Sequence, residues 1–532
     1  MSTPLLSGLA FIGSRRGAKG GATFQAMNPT LAQPLEPIFH TSSLAEVDVA
    51  ANLAAQAAPL LASFRGQKKA QLLRKIAQNI EAATPALAAR AQLETALPEA
   101  RCLGEIGRTM GQLKLFADLL EKGEWVDARI ETAQPERKPA PKPDHRSMCR
   151  PLGPVAVFCA SNFPFAYSVA GGDTAAALAA GCPVVVVAHT AHAGTAELMA
   201  SLVVAAVHEL GFPEGTFSMV MGDGRVVGQH LAKHPALRAI GFTGSRAGGK
   251  ALMDTASARA VPIPVYAEMS SVNPVILLEG AVQSRGEAMV AGLFASCTLG
   301  VGQFCTQPGI ILLVRSQAAQ DFVEKLAASF RSASEGVMLT AGIYQNYQRE
   351  LAARRQQAGV TVVQAAQASG SPGRVLPALL TVSAPTFLAQ PALQTELFGP
   401  ASLVVWCEDL AQLKQVVGSL EGSLTATLHG TAEEIAQHSE LLAQLETLAG
   451  RVILNGYPTG VEVSHAIVHG GPYPSLSDGR TTSVGSNAIY RFTRLVCYQS
   501  FVDAALPAEL QNANPLKITR LVNGQRSSEP VS

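Results

Sequence analysis

The chain has 532 residues, of which 48% are hydrophobic and 15% charged, and Lys plus Arg (41) so nearly balance Asp plus Glu (40) that the formal net charge is +1. This length exceeds one ordinary core and divides into two or three domains, and the composition excludes a largely disordered chain. The near-neutral charge gives no electrostatic basis for a nucleic-acid partner, and eight cysteines without a CxxC pair argue against a disulfide framework or structural zinc and suit a reducing cytoplasm.

Residues 1 to about 45, rich in Gly, Pro and Ser, read as an arm laid over the surface. Apolar Leu6, Leu9 and Phe11 precede Arg15-Arg16, the reverse of a secretory signal. The longest uncharged stretch, 175–189, is broken by Gly181 and Pro183 and is too short to span a bilayer, so neither export nor a membrane anchor is expected. From 44 to 120 the apolar spacing is helical. Residues 125–150 alternate Val, Ile and Thr around a Pro-rich run and predict a projecting hairpin.

At Val155 strands begin to alternate with helices. Strands are predicted at 155–159, 184–188, 217–221, 237–242 and 263–267, with helices between them, which implies a parallel sheet covered on both faces. Such sheets bind ligands at the carboxyl ends of their strands. A second alternating segment from Val275 to about Val468 has strand-like runs at 310–314, 402–406 and 452–455. The expected fold class is therefore α/β, with two parallel-sheet units facing across a cleft.

Gly302-Gln303-Phe304-Cys305 sets a cysteine among small neighbours at a predicted helix start, where a lowered pKa would make it a reachable thiolate; taken alone it reads equally as a small buried hydrophobe. Asn162, in Ser161-Asn162-Phe163-Pro164, follows a buried strand and reads as a turn residue or as an amide aimed into the cleft. Glu268 ends an apolar strand, either opening a solvated loop or forming a buried base with a raised pKa. Gly244 and Ser245 open a helix directly after a strand, suiting a pyrophosphate against helix N–H groups. Glu396-Leu397-Phe398-Gly399-Pro400 is, by itself, a turn. The eleven histidines supply no metal site: His465 and His469 lack the Glu of HExxH, and packing is the role read for them.

In this order and spacing the motifs resemble the aldehyde dehydrogenase superfamily, from about Asn28 to about Pro507. Ala267-Glu-Met-Ser-Ser-Val-Asn-Pro274, Val461-Glu-Val-Ser-His465 and His469-Gly-Gly-Pro-Tyr-Pro474 are similar to the branch containing α-ketoglutaric semialdehyde (2,5-dioxopentanoate) dehydrogenases and NADP-dependent fatty aldehyde dehydrogenases. The resemblance implies an N-terminal arm and helical part (1–124), an oligomerisation hairpin (125–153), a Rossmann-like cofactor domain (154–274), a catalytic domain (275–470) and a return to the cofactor domain (471–532). It implies that Cys305 attacks an aldehyde, that Asn162 and the Cys305 N–H hold the oxyanion, and that Glu268 activates water. Glu396 would bond the nicotinamide ribose, with Phe398 beside the ring.

Two departures bear on the cofactor. Val187 stands where the family carries a ribose-binding lysine, and Thr190 where NAD-preferring relatives carry a glutamate. With Arg225 on the neighbouring turn to pair with a 2′-phosphate, NADP is expected, NAD remaining open. For the substrate, Arg108 and Gln112 would meet the carboxylate of α-ketoglutaric semialdehyde, whereas Phe163, Tyr167 and Phe304 would line a tunnel for a fatty aldehyde. A non-catalytic binding protein of the same fold is a third possibility, motivated by Val187. The resemblance also implies pairing of the 125–150 hairpin with a strand near 494–499 and a homodimer or homotetramer.

Overall fold

The all-apolar strand Val184–Ala188 is buried along its whole length, as befits the centre of a sheet covered on both faces. In the computed structural model, which describes residues 6–364 and 370–531, it pairs in parallel with Val155–Phe158 on one side and Phe217–Met221 on the other. Ala239–Thr243 and Val265–Glu268 extend the first side in the same direction. Beyond Phe217–Met221 the sheet continues antiparallel with Phe11–Ile12 and Arg15–Arg16, seven strands in all.

The N-terminal segment is thus not only a surface arm. Phe11 and Ile12 are buried, and the backbone N–H groups of Ser7 and Gly8 donate to the buried Glu197 carboxylate at 2.9 Å each. Apolar burial and a charge-assisted anchor outweigh the loop-like composition. The first five residues of that predicted arm lie outside the described residues.

Three helices, Leu44–Ser63, Gly66–Thr95 and Glu99–Lys122, fill the expected helical region. Ser43 and Glu46 form a reciprocal capping box on the first, and the third ends at Gly123 in the left-handed conformation. Of the described residues, the run Thr190–Glu209 is long and apolar enough to cross a membrane, but most of it is buried against the first sheet and its neighbouring helices.

A second seven-stranded sheet runs in the order Thr361–Gln364, Ala378–Ser383, Ala401–Cys407, Ile310–Val314, Val275–Leu277, Ser423–His429, Ala449–Leu454, parallel except for its first strand. A third, five-stranded sheet joins His145–Pro151 to Thr493–Gln499 on one side and Arg129–Glu131 on the other. The C-terminal tail adds Arg520–Val522 and Gln525–Ser527 to its far edge. These strands of three residues are too short to show a period.

Candidate active site

Cys305 lies in the connection between the helix Glu279–Thr298 and the strand Ile310–Val314. Gly300, Val301 and Gly302 take successive positive φ angles of 57°, 58° and 64°, which unwind the helix end and turn the chain into the cleft. A Cβ at Gly302 would fall 2.3 Å from the Gly399 carbonyl carbon, so a larger residue is excluded there. Asn273 Nδ2 donates to the Cys305 carbonyl at 2.8 Å and to that of Gln307 at 2.9 Å, fixing the turn. The predicted helix start is not found: Cys305 follows a helix C-terminus and opens no helix, so no N-terminal dipole lowers its pKa. Burial, and then the nearby charge of Glu268, push the thiol well above its ordinary value.

Glu268 closes its strand at 2% exposure. Its Oε1 is 3.0 Å from His469 Nε2, and its Oε2 accepts a hydrogen bond from Ser483 Oγ at 2.7 Å. The same imidazole nitrogen is 3.5 Å from Cys305 Sγ. Burial alone would raise the Glu268 pKa, as expected from the sequence, but the charge and hydrogen bond of His469 together with the Ser483 and Cys305 bonds outweigh it and hold the carboxyl at about 2. The group is a carboxylate. His469 is fully buried, and its part in this cluster replaces the packing role read from the sequence. The signal for it was the His469-Gly-Gly-Pro motif itself, although no spacing ties it to Cys305.

Asn162 Nδ2 donates to the Gln303 carbonyl at 2.9 Å, which brings the first unit's turn onto the cysteine-bearing loop. An amide has two N–H donors, so a second is left over. A cavity of about 350 Å³ gathers Asn162, Gly244, Ser245, Glu268, Cys305, Glu396 and Phe398. Burial pushes Glu396 up to about 7, despite hydrogen bonds from Ser270 and the Ser271 backbone.

A larger cleft of about 890 Å³ adjoins it along Phe242 and Thr243, and is lined by Phe158, Val187, Thr190, Gly224 and Arg225. Ser245 Oγ caps Gly248 N at the start of the helix Arg246–Ser257, and a Cβ at Gly224 would meet open space. A long cleft with a helix start midway and a carboxyl at the far end fits a dinucleotide. Arg225 is bound to Asp223 at 2.8 Å, with its own side chain 90% exposed, so it is not a free cation.

On the other side of Cys305 the rings of Phe304, Phe163, Tyr167 and His469 follow one another at centroid spacings of 5.3, 5.2 and 5.9 Å. Arg108 Nη2 donates to the Tyr167 hydroxyl at 3.2 Å and its Nε to the Val461 carbonyl at 3.1 Å. Arg101, which sequence reasoning missed, lies 4.5 Å from the Phe163 ring centroid and 4.6 Å from that of Phe304, and pairs with Glu105 at 3.1 Å. Gln112 stands apart: it is buried and its Oε1 accepts from the Gly485 backbone at 3.3 Å.

Residues 16–495 match the aldehyde dehydrogenase family. The chain is 48% identical over 524 residues to alpha-ketoglutaric semialdehyde dehydrogenase 2 of Azospirillum brasilense, covering 98% of this chain and 99% of that protein. It is 46% identical over 519 residues to the alpha-ketoglutaric semialdehyde dehydrogenase of Acinetobacter baylyi, with 97% and 98% coverage. The fold is also that of lactaldehyde dehydrogenase from Escherichia coli, with a TM-score of 0.80 at 20% identity over 92% of this chain and 98% of that one. A family match across nearly the whole length, on a fold that brings a cysteine, a carboxylate and an amide into one cleft beside a dinucleotide-sized groove, identifies this chain as a member of the aldehyde dehydrogenase family.

Proposed function

We propose that this aldehyde dehydrogenase oxidises α-ketoglutaric semialdehyde to α-ketoglutarate, with NADP as the preferred cofactor. The observation that carries the substrate is the pair of near full-length relatives bearing that activity in their names, at 48% and 46% identity. Arg108 supports it. It is a half-buried cation beside the aromatic rings that lead away from Cys305, and its hydrogen bonds go to the Tyr167 hydroxyl and the Val461 carbonyl, so its charge is left for a substrate carboxylate.

Cys305 rests as a thiol hydrogen-bonded to Glu268, and as Sγ bonds to the aldehyde carbon its proton passes to that carboxylate, which releases it to solvent before it acts again. The carbonyl oxygen becomes an oxyanion held by the second Asn162 N–H and the Cys305 backbone N–H. A nicotinamide cofactor held between the Ser245 helix start and Glu396 would supply the hydride acceptor for that carbon, and the acyl group would stay on Cys305 as a thioester. Glu268 then takes a proton from water, which attacks the thioester carbon and releases the acid and the thiolate. His469 and Ser483 orient Glu268.

The NADP preference rests on Thr190, which leaves no carboxylate against a 2′-phosphate, and on Arg225 beside it in the cleft. Leu495 and Leu454, on the edge strands of the third and second sheets, are 62% and 55% exposed, which favours a homo-oligomer built by pairing such edges. The eight cysteines are free thiols, six of them buried, which suits a reducing cytoplasm. Initial rates with α-ketoglutaric semialdehyde, decanal and pentanal, each with NADP and with NAD, test the reading. The semialdehyde with NADP should give the highest kcat/KM, and a higher value for decanal would refute the substrate.

A further inference from the structure

A second arginine reaches the wall that carries Arg108. Arg451 leaves the strand Ala449–Leu454 and hooks back, Nη2 donating to the Pro458 carbonyl at 2.6 Å and Nη1 to that of Gly460 at 2.9 Å. Arg108 Nε takes the next carbonyl along, Val461, at 3.1 Å. The two guanidinium groups therefore bracket adjacent peptide units of one loop, whose Val461 and Val463 pack with Phe163 and Tyr167 on the substrate side of the cleft.

Among the described residues neither guanidinium has a carboxylate as a hydrogen-bond partner. The acid nearest in effect to Arg108 is Glu105, and its two oxygens are occupied by Arg101 and by the N–H groups of Phe165 and Ala166. The groups that favour the charge on Arg451 are Cys305 and Tyr167, with no carboxylate among them. Arg451 Nε is moreover buried with no acceptor among the described residues. A half-buried guanidinium without a paired carboxylate is only partly compensated, and two of them meet one loop here, within electrostatic reach of the nucleophile. An α-keto acid offers a carboxylate and a neighbouring keto oxygen, two acceptor sites for two forks. In α-ketoglutaric semialdehyde the carboxylate carbon lies four carbon–carbon bonds, about 5 Å when extended, from the aldehyde carbon that Cys305 attacks.

We propose that Arg451 is a specificity-determining residue that joins Arg108 in a two-guanidinium clamp for the distal α-keto carboxylate of the substrate. This rests on the substrate reading above, and the test separates the two. Wild type is first assayed with α-ketoglutaric semialdehyde and with pentanal, a chain of the same length without the carboxylate; no preference for the former would remove the substrate reading itself. Arg451→Gln is then compared by the ratio of the two kcat/KM values. Loss of one charge-assisted contact should lower that ratio roughly ten- to a hundred-fold, chiefly through KM for the semialdehyde. Arg451→Lys, which keeps the charge, should recover part of it. If both substrates lose equally, Arg451 only holds the loop and the clamp is wrong. Should Arg451→Gln fail to fold, Arg451→Lys carries the test by the same ratio: a several-fold fall supports the clamp and no change overturns it.

Discussion

His469 Nε2 lies 3.0 Å from Glu268 Oε1, a pairing across 201 residues in which both side chains are buried. The pair settles the charge state of Glu268. Burial would make it a neutral acid, and the imidazole with the Ser483 hydroxyl makes it a carboxylate. A base must be unprotonated to act, so the same contact that orients Glu268 also prepares it.

Removing His469 should therefore shift the pH dependence. A carboxyl held at about 2 stays ionised, and stabilises the fold, above its unfolded value, and that contribution is lost only as pH falls towards 2. In His469→Asn burial is less opposed, so the Glu268 pKa rises and the acid limb of the kcat profile moves to higher pH. A pH–rate series on both proteins checks this; an unmoved limb would show that His469 does not set the charge of Glu268.

Cys305→Ala should abolish oxidation while circular dichroism stays unchanged. Glu268→Gln should still give a burst of reduced cofactor, then turn over about 10²–10⁴-fold more slowly, as expected for a missing general base. Stopped-flow absorbance at the reduced-cofactor band distinguishes the two, and a Glu268 variant with no burst would place that residue before hydride transfer.

The exposed Arg225–Asp223 pair predicts that NADP must draw the guanidinium away from a carboxylate that repels the 2′-phosphate. Asp223→Asn should tighten NADP a few-fold, with little change for NAD, and Arg225→Ala should weaken NADP selectively, within the modest range of surface ion pairs. Fluorescence titration of both cofactors measures this. Equal effects on NAD and NADP would mean that neither residue reads the phosphate.

Glu396, pushed up to about 7 by burial, changes charge in the neutral range. Its carboxylate accepts hydrogen bonds better than its acid form, so cofactor affinity should rise as pH increases from about 6 to 8. Glu396→Gln should bind more weakly at pH 8 and lose that dependence. Titrations at three pH values decide it; an unaltered slope in the variant assigns the dependence to another group.

The sequence by itself determined what short-range pattern can encode. The buried run at 184–188 has to be a central strand and the Ala-rich spacing of 44–120 has to be helix, whereas the glycines before Cys305 suggested a helix start that the structure replaces with a turn. Cys305, Glu268 and Asn162 were legible as candidates because each sits at a strand or loop boundary inside a recognisable motif. Only the tertiary structure decided what their surroundings do to them. The thiol is raised instead of lowered, because burial and the charge of Glu268 act on it with no helix N-terminus to oppose them, and Glu268 is charged because a histidine 201 positions away reaches it. Arg451 was invisible for the same reason. A lone arginine in a strand carries no local signal, and its lack of a counter-anion is a property of the space around it, which long-range packing creates.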